Sequence, residues 1–201
     1  MNYLAHLQLA GNSESIMLGN LIGDFVKGSI GSEYSREITR GIVAHRKIDA
    51  YADSHPIFKA SRRLVSPVRR RFSGIIVDMG FDHFLAKNWG EFSDKNLELF
   101  IEDAYALLIQ NTDLLPARLR QILPIMVEED WHGSYITLEG IHKSLHGISR
   151  RFKLRYGRDN NLSGGVEEIK SNYDRLEQNF KAFYPYVTAF AKSCIETQAK
   201  F

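Results

Sequence analysis

Histidine and aspartate side chains that can bind metals or transfer protons are concentrated in the first 90 residues of this 201-residue chain. They are His6, Asp24, His45, Asp49, Asp53, His55, Asp78, Asp82 and His83. A mixed set of imidazole and carboxylate groups suits Mn²⁺, Mg²⁺ or Fe²⁺ rather than a structural thiolate site. The same groups are the usual general acids and bases of enzymes. The sequence therefore indicates metal-assisted or acid–base chemistry in this part of the chain.

Two pairs in this set have a spacing that places both side chains on one face of a helix. His45 and Asp49 are four residues apart, as are Asp78 and Asp82, and residues at i and i+4 are neighbours on a helix surface. Asp24 follows an apolar segment, where an ionised carboxylate is costly unless it is paired or bound to a metal. A plainer interpretation exists for each feature, since the first pair could be a surface ion pair of little energetic value. Their coincidence favours a functional site.

Basic residues are concentrated in two segments, although the formal net charge of the whole chain is only +2. Residues 56–77 contain no acidic residue, and residues 150–158 add five further basic side chains. The basic residues of the first segment are Lys59, Arg62, Arg63, Arg69, Arg70 and Arg71. A local basic surface suggests an anionic partner such as a phosphate, a nucleic acid or an acidic protein. A solvated helix face is the alternative interpretation.

Apolar residues recur at helical spacing along most of the chain, and the two-residue alternation typical of strands is almost absent. Ser13 is a candidate N-cap for a helix that continues through Val26, and Pro56 suits the first turn of another helix. Pro124 is expected to kink or divide its helix. No repeat or biased linker divides the sequence. We therefore expect an all-α helical bundle with a single domain spanning residues 1–201.

Composition and motif searches exclude several classes of protein. The single cysteine, Cys194, can form neither an internal disulfide nor a cysteine-rich zinc site. The P-loop, dinucleotide-binding, nucleophile-elbow and HExxH motifs are absent. The apolar stretches are shorter than the roughly 20 residues of a membrane span, and the N-terminus lacks the basic region of a signal peptide. We expect a soluble, cytoplasmic protein.

Five segments in the first 90 residues resemble the acyl-carrier-protein phosphodiesterase family in order and spacing. They are MNYLAHL at the N-terminus, GNLIGDFVKG at 19–28, GIVAHRKID at 41–49, DSHP at 53–56 and DMGFDHFLA at 78–86. This family resembles a divergent form of the all-α, HD-type metal-dependent phosphohydrolases. The resemblance implies removal of 4′-phosphopantetheine from holo acyl carrier protein with Mn²⁺ or Mg²⁺. The chain has Gln8 where the family often carries a second histidine on the first helix.

The resemblance also implies a metal site. Its expected ligands are His6, Asp24, Asp78 and Asp82. One or two divalent ions held there, Mn²⁺ before Mg²⁺ or Fe²⁺, would activate a water molecule for in-line attack on phosphorus. Asp24 is the residue on which this interpretation depends most, and we expect it to take part in catalysis as well as in metal binding.

Further residues are assigned to catalysis and to substrate binding. His83, or His45 held by Asp49, is expected to protonate the departing serine oxygen, because imidazole titrates near neutral pH. Arg46 is expected to bind the phosphate through its guanidinium fork. The basic segment 56–77 leads toward Asp78, so it is expected to dock an acidic carrier protein beside the metal.

Two other functions fit parts of this pattern. An HD-type hydrolase of a nucleotide or another small phosphoester would use the same metal site, and a requirement for a protein substrate separates the two activities. A helical nucleic-acid-binding protein would use the arginine-rich segments. The second alternative leaves Asp24 and Asp78 without a role, so we expect no nucleic-acid partner. We also expect no membrane partner, because the apolar stretches are too short to span a bilayer.

Overall fold

The computed structural model describes residues 1–197, and within that range the chain forms α-helices and short 3-10 segments without a strand. The helices are α1 (Tyr3–Leu9), α2 (Glu14–Ile22), α3 (Arg36–Ser54), α4 (Pro56–Leu64), α5 (Ser73–Lys87), α6 (Leu97–Gln110), α7 (Ala117–Glu128), α8 (Trp131–Ser134), α9 (Leu138–Tyr156), α10 (Gly165–Ser171) and α11 (Tyr173–Thr197). The all-α prediction is confirmed. None of the described helices combines the length and the apolar character that crossing a bilayer requires.

The helix starts agree with the local sequence signals. The Ser13 hydroxyl accepts a hydrogen bond from the backbone N–H of Ile16 at 3.4 Å, which caps α2. Pro56 is the first residue of α4, where its missing N–H costs nothing. His55 precedes it as the N-cap, and its Nδ1 accepts from the N–H of Ile57.

Two helix boundaries differ from the sequence prediction. The helix that begins after Ser13 ends at Ile22 instead of continuing through Val26, so Asp24 lies in the turn that follows α2. Pro124 does not divide its helix, because α7 runs unbroken from Ala117 to Glu128. Buried leucine and methionine side chains on both sides of the proline pack into the core, and this packing outweighs one lost backbone hydrogen bond.

Helices α2 and α3 approach each other closely at two glycines. A Cβ atom added at Gly19 would overlap the carbonyl oxygen of Ile38 and would lie 2.9 Å from Gly41 Cα. A Cβ atom added at Gly41 would overlap the carbonyl oxygen of Ile16. Only glycine permits this backbone separation. The contact places α2 directly against the N-terminal part of α3.

Helix α5 runs through the core, and its aromatic side chains join it to the last helix of the bundle. Phe81 is fully buried and packs edge-to-face against Phe180 at a ring separation of 5.6 Å. It also contacts Phe58 of α4 and Phe183 of α11. This cluster is core packing, and it holds α5 against α4 and α11.

The basic 3-10 segment Pro67–Phe72 is fastened to α10 by Glu168. The carboxylate of Glu168 accepts hydrogen bonds from Ser66 N at 2.9 Å and from Ser66 Oγ at 2.5 Å. It also forms an ion pair with Arg69 Nη1 at 2.8 Å. Glu168 therefore fixes Arg69 and the start of this segment.

Replacing Glu168 with glutamine is expected to lower stability near neutral pH. Burial by itself raises the pKa of this carboxyl, but hydrogen bonds from Ser66 and the charge of Arg69 lower it below its usual value. The carboxylate thus stabilises the fold at pH values above the unfolded pKa, and this contribution is lost as the pH falls through the folded pKa. We expect the substitution to cost about 1 to 3 kcal/mol at pH 7, with a smaller difference below about pH 4.

Thermal melts of the wild type and Glu168→Gln across this pH range test the prediction. Glu167→Gln is the matched control, because Glu167 is exposed and pairs with Lys170 at the surface. Its expected effect is within about 0.5 kcal/mol. Equal melting temperatures for wild type and Glu168→Gln at pH 7 would contradict the assignment.

Candidate metal site and cleft

Three side chains from helices α1 and α3 converge beside the α2–α3 contact. His6 of α1 and His45 and Asp49 of α3 present ligand atoms that all lie within 4.8 Å of one another. His6 Nε2 is 3.0 Å from Asp49 Oδ1, and His45 Nε2 is 3.2 Å from Asp49 Oδ2. The two imidazole rings stack with centroids 3.9 Å apart. We call these three residues the triad.

His6 is surrounded by hydrogen-bond acceptors on both sides of its ring. Its Nδ1 is 2.9 Å from Asn20 Oδ1, and its Nε2 faces Asp49 Oδ1. Burial, together with the charge of His45, lowers the pKa of His6, whereas Asp49 raises it. A cation bound between His6 Nε2 and Asp49 would leave the Nδ1–H group to donate to Asn20 Oδ1.

Asp24 extends the triad toward solvent. Its Oδ1 is 3.5 Å from His45 Nε2, and 42% of its side chain is exposed. Burial raises the pKa of Asp24, but its contact with His45 has the larger combined effect and lowers it. Burial lowers the pKa of His45, whereas Asp24 and Asp49 raise it to about 9. Asp24 is thus ionised at neutral pH and belongs to the same cluster of charges.

The donor atoms of the triad fit a divalent cation. Ligands that bind one such ion at roughly 2.1 Å lie about 3 Å from one another, and the separations of 3.0, 3.2 and 3.5 Å among His6, His45, Asp49 and Asp24 are of this size. Two imidazoles with carboxylates suit Mn²⁺ and Fe²⁺, and also zinc, better than calcium. The arrangement of these side chains supports a metal centre.

The α-amino group of Met1 lies beside the triad and carries a buried positive charge. It is 3.3 Å from Asp49 Oδ1 and 3.0 Å from Asp78 Oδ1. Burial lowers the pKa of the amine, but Asp78 and Asp49 raise it to about 11. Asp49 therefore shares its carboxylate between the Met1 amine and the two histidines.

Asp82 and His83 are not brought into this group. The Asp82 carboxylate is fully buried and accepts hydrogen bonds from Leu4 N at 2.9 Å and Ala5 N at 3.4 Å. Burial raises its pKa to about 7, against the opposing effects of the Met1 amine and the Leu4 N–H. Asp82 therefore holds the first turn of α1, the helix that carries His6, instead of offering free ligand atoms.

Both ring nitrogens of His83 are engaged elsewhere. Its Nδ1 is 2.9 Å from the carbonyl oxygen of Tyr135, and its Nε2 is 2.8 Å from the hydroxyl of Tyr173. The side chain is 3% exposed. The predicted role of His83 as a proton donor to the substrate has no support in this geometry, because the ring connects α5 to the segments around Tyr135 and Tyr173. Sequence spacing could not show which neighbouring segments each face of α5 contacts.

Arg46 and Gln8 also have structural partners. Arg46 Nη2 donates to the carbonyl oxygen of Val26 at 2.8 Å and so supports the turn that contains Asp24. Gln8 donates to the carbonyl oxygen of Phe92 at 3.0 Å and accepts from the Tyr184 hydroxyl at 2.8 Å. Neither residue lines the cleft described below.

A cleft of about 1220 Å³ opens beside the triad. Six acidic residues line it, and the aspartates Asp24, Asp49, Asp53 and Asp78 lie on the side of the triad. Its other lining residues come mainly from α7, α8 and α9 and include Ile122, Ile125, Trp131, Lys143, Arg150 and Arg151. The cleft thus joins an acidic region to basic and apolar surfaces, as expected of a site for a ligand with a charged and an apolar part.

Four of the six basic residues predicted to bind a partner surround a smaller hollow of about 240 Å³ on α4 and the adjoining segment. They are Lys59, Arg62, Arg63 and Arg70, and we call them the basic patch. Arg62 Nη1 is 3.7 Å from Asp53 Oδ1, and Asp53 also lines the cleft. The patch therefore adjoins the cleft. Arg69 is paired internally with Glu168, and Arg71 lies over the ring of Phe72.

Sequence reasoning missed three residues that the structure places at the site. Asn20, which contacts His6, is part of the GNLIGD segment and is fully buried. Tyr3 and Arg151 both line the cleft. The only sequence signal for Arg151 was its position in the second basic segment. For Asn20, the usable signal was an asparagine within an apolar motif, because a polar side chain in such a position needs a hydrogen-bond partner.

Gly23 shapes the site by leaving room for His45. A Cβ atom added at this position would lie 2.5 Å from His45 Cγ and 2.7 Å from His45 Cβ. The backbone of Gly23 has ordinary helical angles, with φ −53° and ψ −35°, so the glycine is needed for space and not for conformation.

We expect Gly23→Ala to displace the His45 ring and to lower both metal affinity and activity by about 10- to 100-fold. Gly90→Ala is the control, since nothing lies within 4 Å of a Cβ atom added there. Equilibrium dialysis against Mn²⁺ measures the affinity of each protein. A Gly23→Ala protein that binds Mn²⁺ as tightly as the wild type would show that His45 is not a ligand.

The sequence is similar to those of enzymes from several bacteria. A family model described as "Acyl carrier protein phosphodiesterase" matches residues 1–187. A protein of that name from Yersinia enterocolitica is 39% identical over 194 residues, which cover 96% of this chain and 98% of that protein. Proteins of the same name from Serratia proteamaculans and Pectobacterium atrosepticum are 36% and 37% identical, with the same coverage. No solved structure gives a significant match.

Proposed function

Because the chain belongs to the acyl carrier protein phosphodiesterase family, we propose that it hydrolyses the phosphodiester between the carrier-protein serine and 4′-phosphopantetheine. The reaction forms a bond from a water oxygen to phosphorus and breaks the bond from phosphorus to the serine oxygen. The products are free 4′-phosphopantetheine and the apo carrier protein, whose serine oxygen takes up the proton that the attacking water loses. The observation that carries the proposal is the triad of His6, His45 and Asp49 beside a cleft large enough for the prosthetic group.

His6, His45 and Asp49 are the residues that we propose to hold a divalent ion, with Mn²⁺ preferred and Mg²⁺ or Fe²⁺ as alternatives. When bound, such an ion supplies Lewis-acid activation of the phosphodiester and of a water molecule. Asn20 orients the His6 ring through its contact at Nδ1, as partners of metal-binding histidines commonly do. Asp82 contributes by holding the first turn of α1.

Asp24 is the residue that we propose as the proton acceptor. It lines the cleft and is partly exposed. Because its contact with His45 lowers its pKa, it is ionised at neutral pH and can take a proton from the attacking water. Asp78 also lines the cleft, and its pairing with the Met1 amine keeps a positive charge near the reacting phosphate.

The basic patch is the surface that we propose for docking an acidic carrier protein. Its arginines adjoin the cleft through the contact between Arg62 and Asp53, so a carrier bound there would present its prosthetic group to the triad. Charges at the rim of an interface act mainly on association and are weakened by salt.

Charge reversal tests the docking surface. We expect Arg63→Glu to raise KM for holo carrier protein by about five- to tenfold at low salt, with little change in kcat. Lys192→Glu, an exposed position on α11 that lines neither the cleft nor the patch, is the matched control. Equal KM values for the two variants at low ionic strength would remove the patch from the interface.

Intact-mass analysis of holo carrier protein incubated with this protein and Mn²⁺ tests the reaction. The expected result is loss of one phosphopantetheine group, prevented by EDTA and by Asp24→Ala. An unchanged mass in the presence of metal-loaded protein would contradict the proposed substrate. It would direct the search to small phosphoesters, including nucleotides, that the same site could hydrolyse.

A further inference from the structure

Arg151 of α9 is a half-buried guanidinium that lines the same cleft as the acidic residues near the triad. Its Cζ atom lies 5.7 Å from the ring centroid of Trp131, which also lines the cleft. An arginine held against an aromatic ring loses less side-chain freedom when it binds a ligand. The stacking therefore restricts the Arg151 side chain, whose guanidinium can then donate hydrogen bonds inside the cleft at a lower entropic cost.

Arg151 forms no ion pair with the residues that the structure describes. None of the ion pairs within 4.0 Å among residues 1–197 includes its guanidinium. Its charged neighbours, Arg118 and Arg150, have the same sign, and burial together with these neighbours lowers its pKa. Arginine stays protonated in proteins, so a desolvated positive charge remains here without a partner, and an anionic ligand would supply one.

Tyr3 connects Arg151 to the acidic side of the cleft. Burial raises the pKa of Tyr3, the nearby carboxylate of Asp24 raises it further, and Arg151 lowers it. Both charged groups therefore act on one phenol that itself lines the cleft. Asp24, Tyr3 and Arg151 all line this one cleft.

We propose that Arg151 is the phosphate-binding residue of this cleft and donates to the non-bridging oxygens of the phosphodiester whose phosphorus is attacked. This assignment rests on the proposed function. A guanidinium fork matches two oxygens of one phosphate, and the phosphodiester is the anionic group that contains the bond that breaks. The arginine expected from the sequence, Arg46, is held by the carbonyl oxygen of Val26 and lies outside the cleft lining.

Calorimetric titration with inorganic phosphate and with 4′-phosphopantetheine tests the assignment, both with Mn²⁺ and with EDTA. We expect Arg151→Gln to weaken binding of both probes by about 10- to 100-fold, because a hydrogen-bonded charge pair is lost. Arg151→Lys keeps the charge without the fork, and we expect an intermediate, roughly threefold to tenfold loss. Arg155→Gln is the matched control, since Arg155 lies over Tyr156 on the same helix but outside the cleft.

The results separate binding from a structural role. If Arg151 only holds α8 against α9, the variants melt at lower temperature while their phosphate affinity equals that of the wild type, and that result overturns the proposal. A wild-type protein that binds neither probe overturns it too. If Arg151→Gln does not fold, the Arg151→Lys titration decides.

The proposed function can fail independently of this assignment. Wild-type protein that binds phosphate through Arg151 but leaves holo carrier protein uncleaved would support the anion site and refute the substrate. When the carrier is cleaved, we expect Arg151→Gln to lower kcat/KM by the same 10- to 100-fold, and Arg155→Gln to leave it within about twofold.

Discussion

Replacing Asp49 with asparagine is expected to remove tight metal binding and to lower hydrolysis of holo carrier protein by about a thousandfold or more. Asp49 is the residue that the other groups share, because its two carboxylate oxygens face His6, His45 and the Met1 amine. Its neighbours lower its pKa, with hydrogen bonds from His45 and His6 outweighing burial. The amide is nearly the same size and uncharged, so the substitution tests charge and ligation without opening a cavity.

Asp53→Asn is the matched control for this substitution. Asp53 lies one helical turn further along α3, also lines the cleft, and forms only a 3.7 Å pair between partly exposed groups, with Arg62. We expect a change of less than about threefold in activity. Mn²⁺ binding by equilibrium dialysis and carrier-protein mass analysis are the measurements, with circular dichroism to verify folding. Wild-type Mn²⁺ affinity in folded Asp49→Asn protein would place the metal elsewhere.

Replacing Gly41 with alanine is expected to destabilise the fold by about 3 kcal/mol and to lower the melting temperature by roughly 6 to 12 °C. The added Cβ would overlap the carbonyl oxygen of Ile16 and would lie 2.8 Å from Gly19 Cα and 2.9 Å from Asn20 N. These are backbone atoms that cannot rotate away, so α2 and α3 must separate. Because Asn20 contacts His6, metal affinity is expected to fall as well.

Gly74→Ala is the control that separates packing from helix propensity. Gly74 lies in α5, where an added Cβ would meet only the end of the Arg62 side chain at 4.0 Å. Alanine favours helix there, so we expect unchanged or slightly higher stability, by up to about 1 kcal/mol. Thermal melts of both variants, followed by Mn²⁺ titration, are the measurements. A Gly41→Ala protein as stable as Gly74→Ala would show that the helices tolerate a wider separation.

The sequence by itself determined the fold class and part of the site. Helical periodicity and cap residues such as Ser13 predict the all-α fold, because these signals act within one or two turns of chain. The i, i+4 spacing of His45 and Asp49 predicts that both side chains lie on one helix face, and in the structure His45 Nε2 is 3.2 Å from Asp49 Oδ2. The same local rule correctly predicts a shared face for Asp78 and Asp82, but it does not say what that face contacts.

Only the tertiary structure decided which of the candidate residues meet. Asp82 fastens α1, His83 bonds to Tyr135 and Tyr173, and Arg151 of the second basic segment enters the cleft. These outcomes depend on contacts between residues distant in sequence, and such contacts are set by how closely helices pack. Spacing along a helix determines a side chain's direction from its own axis, whereas its partners depend on the neighbouring helix that faces it.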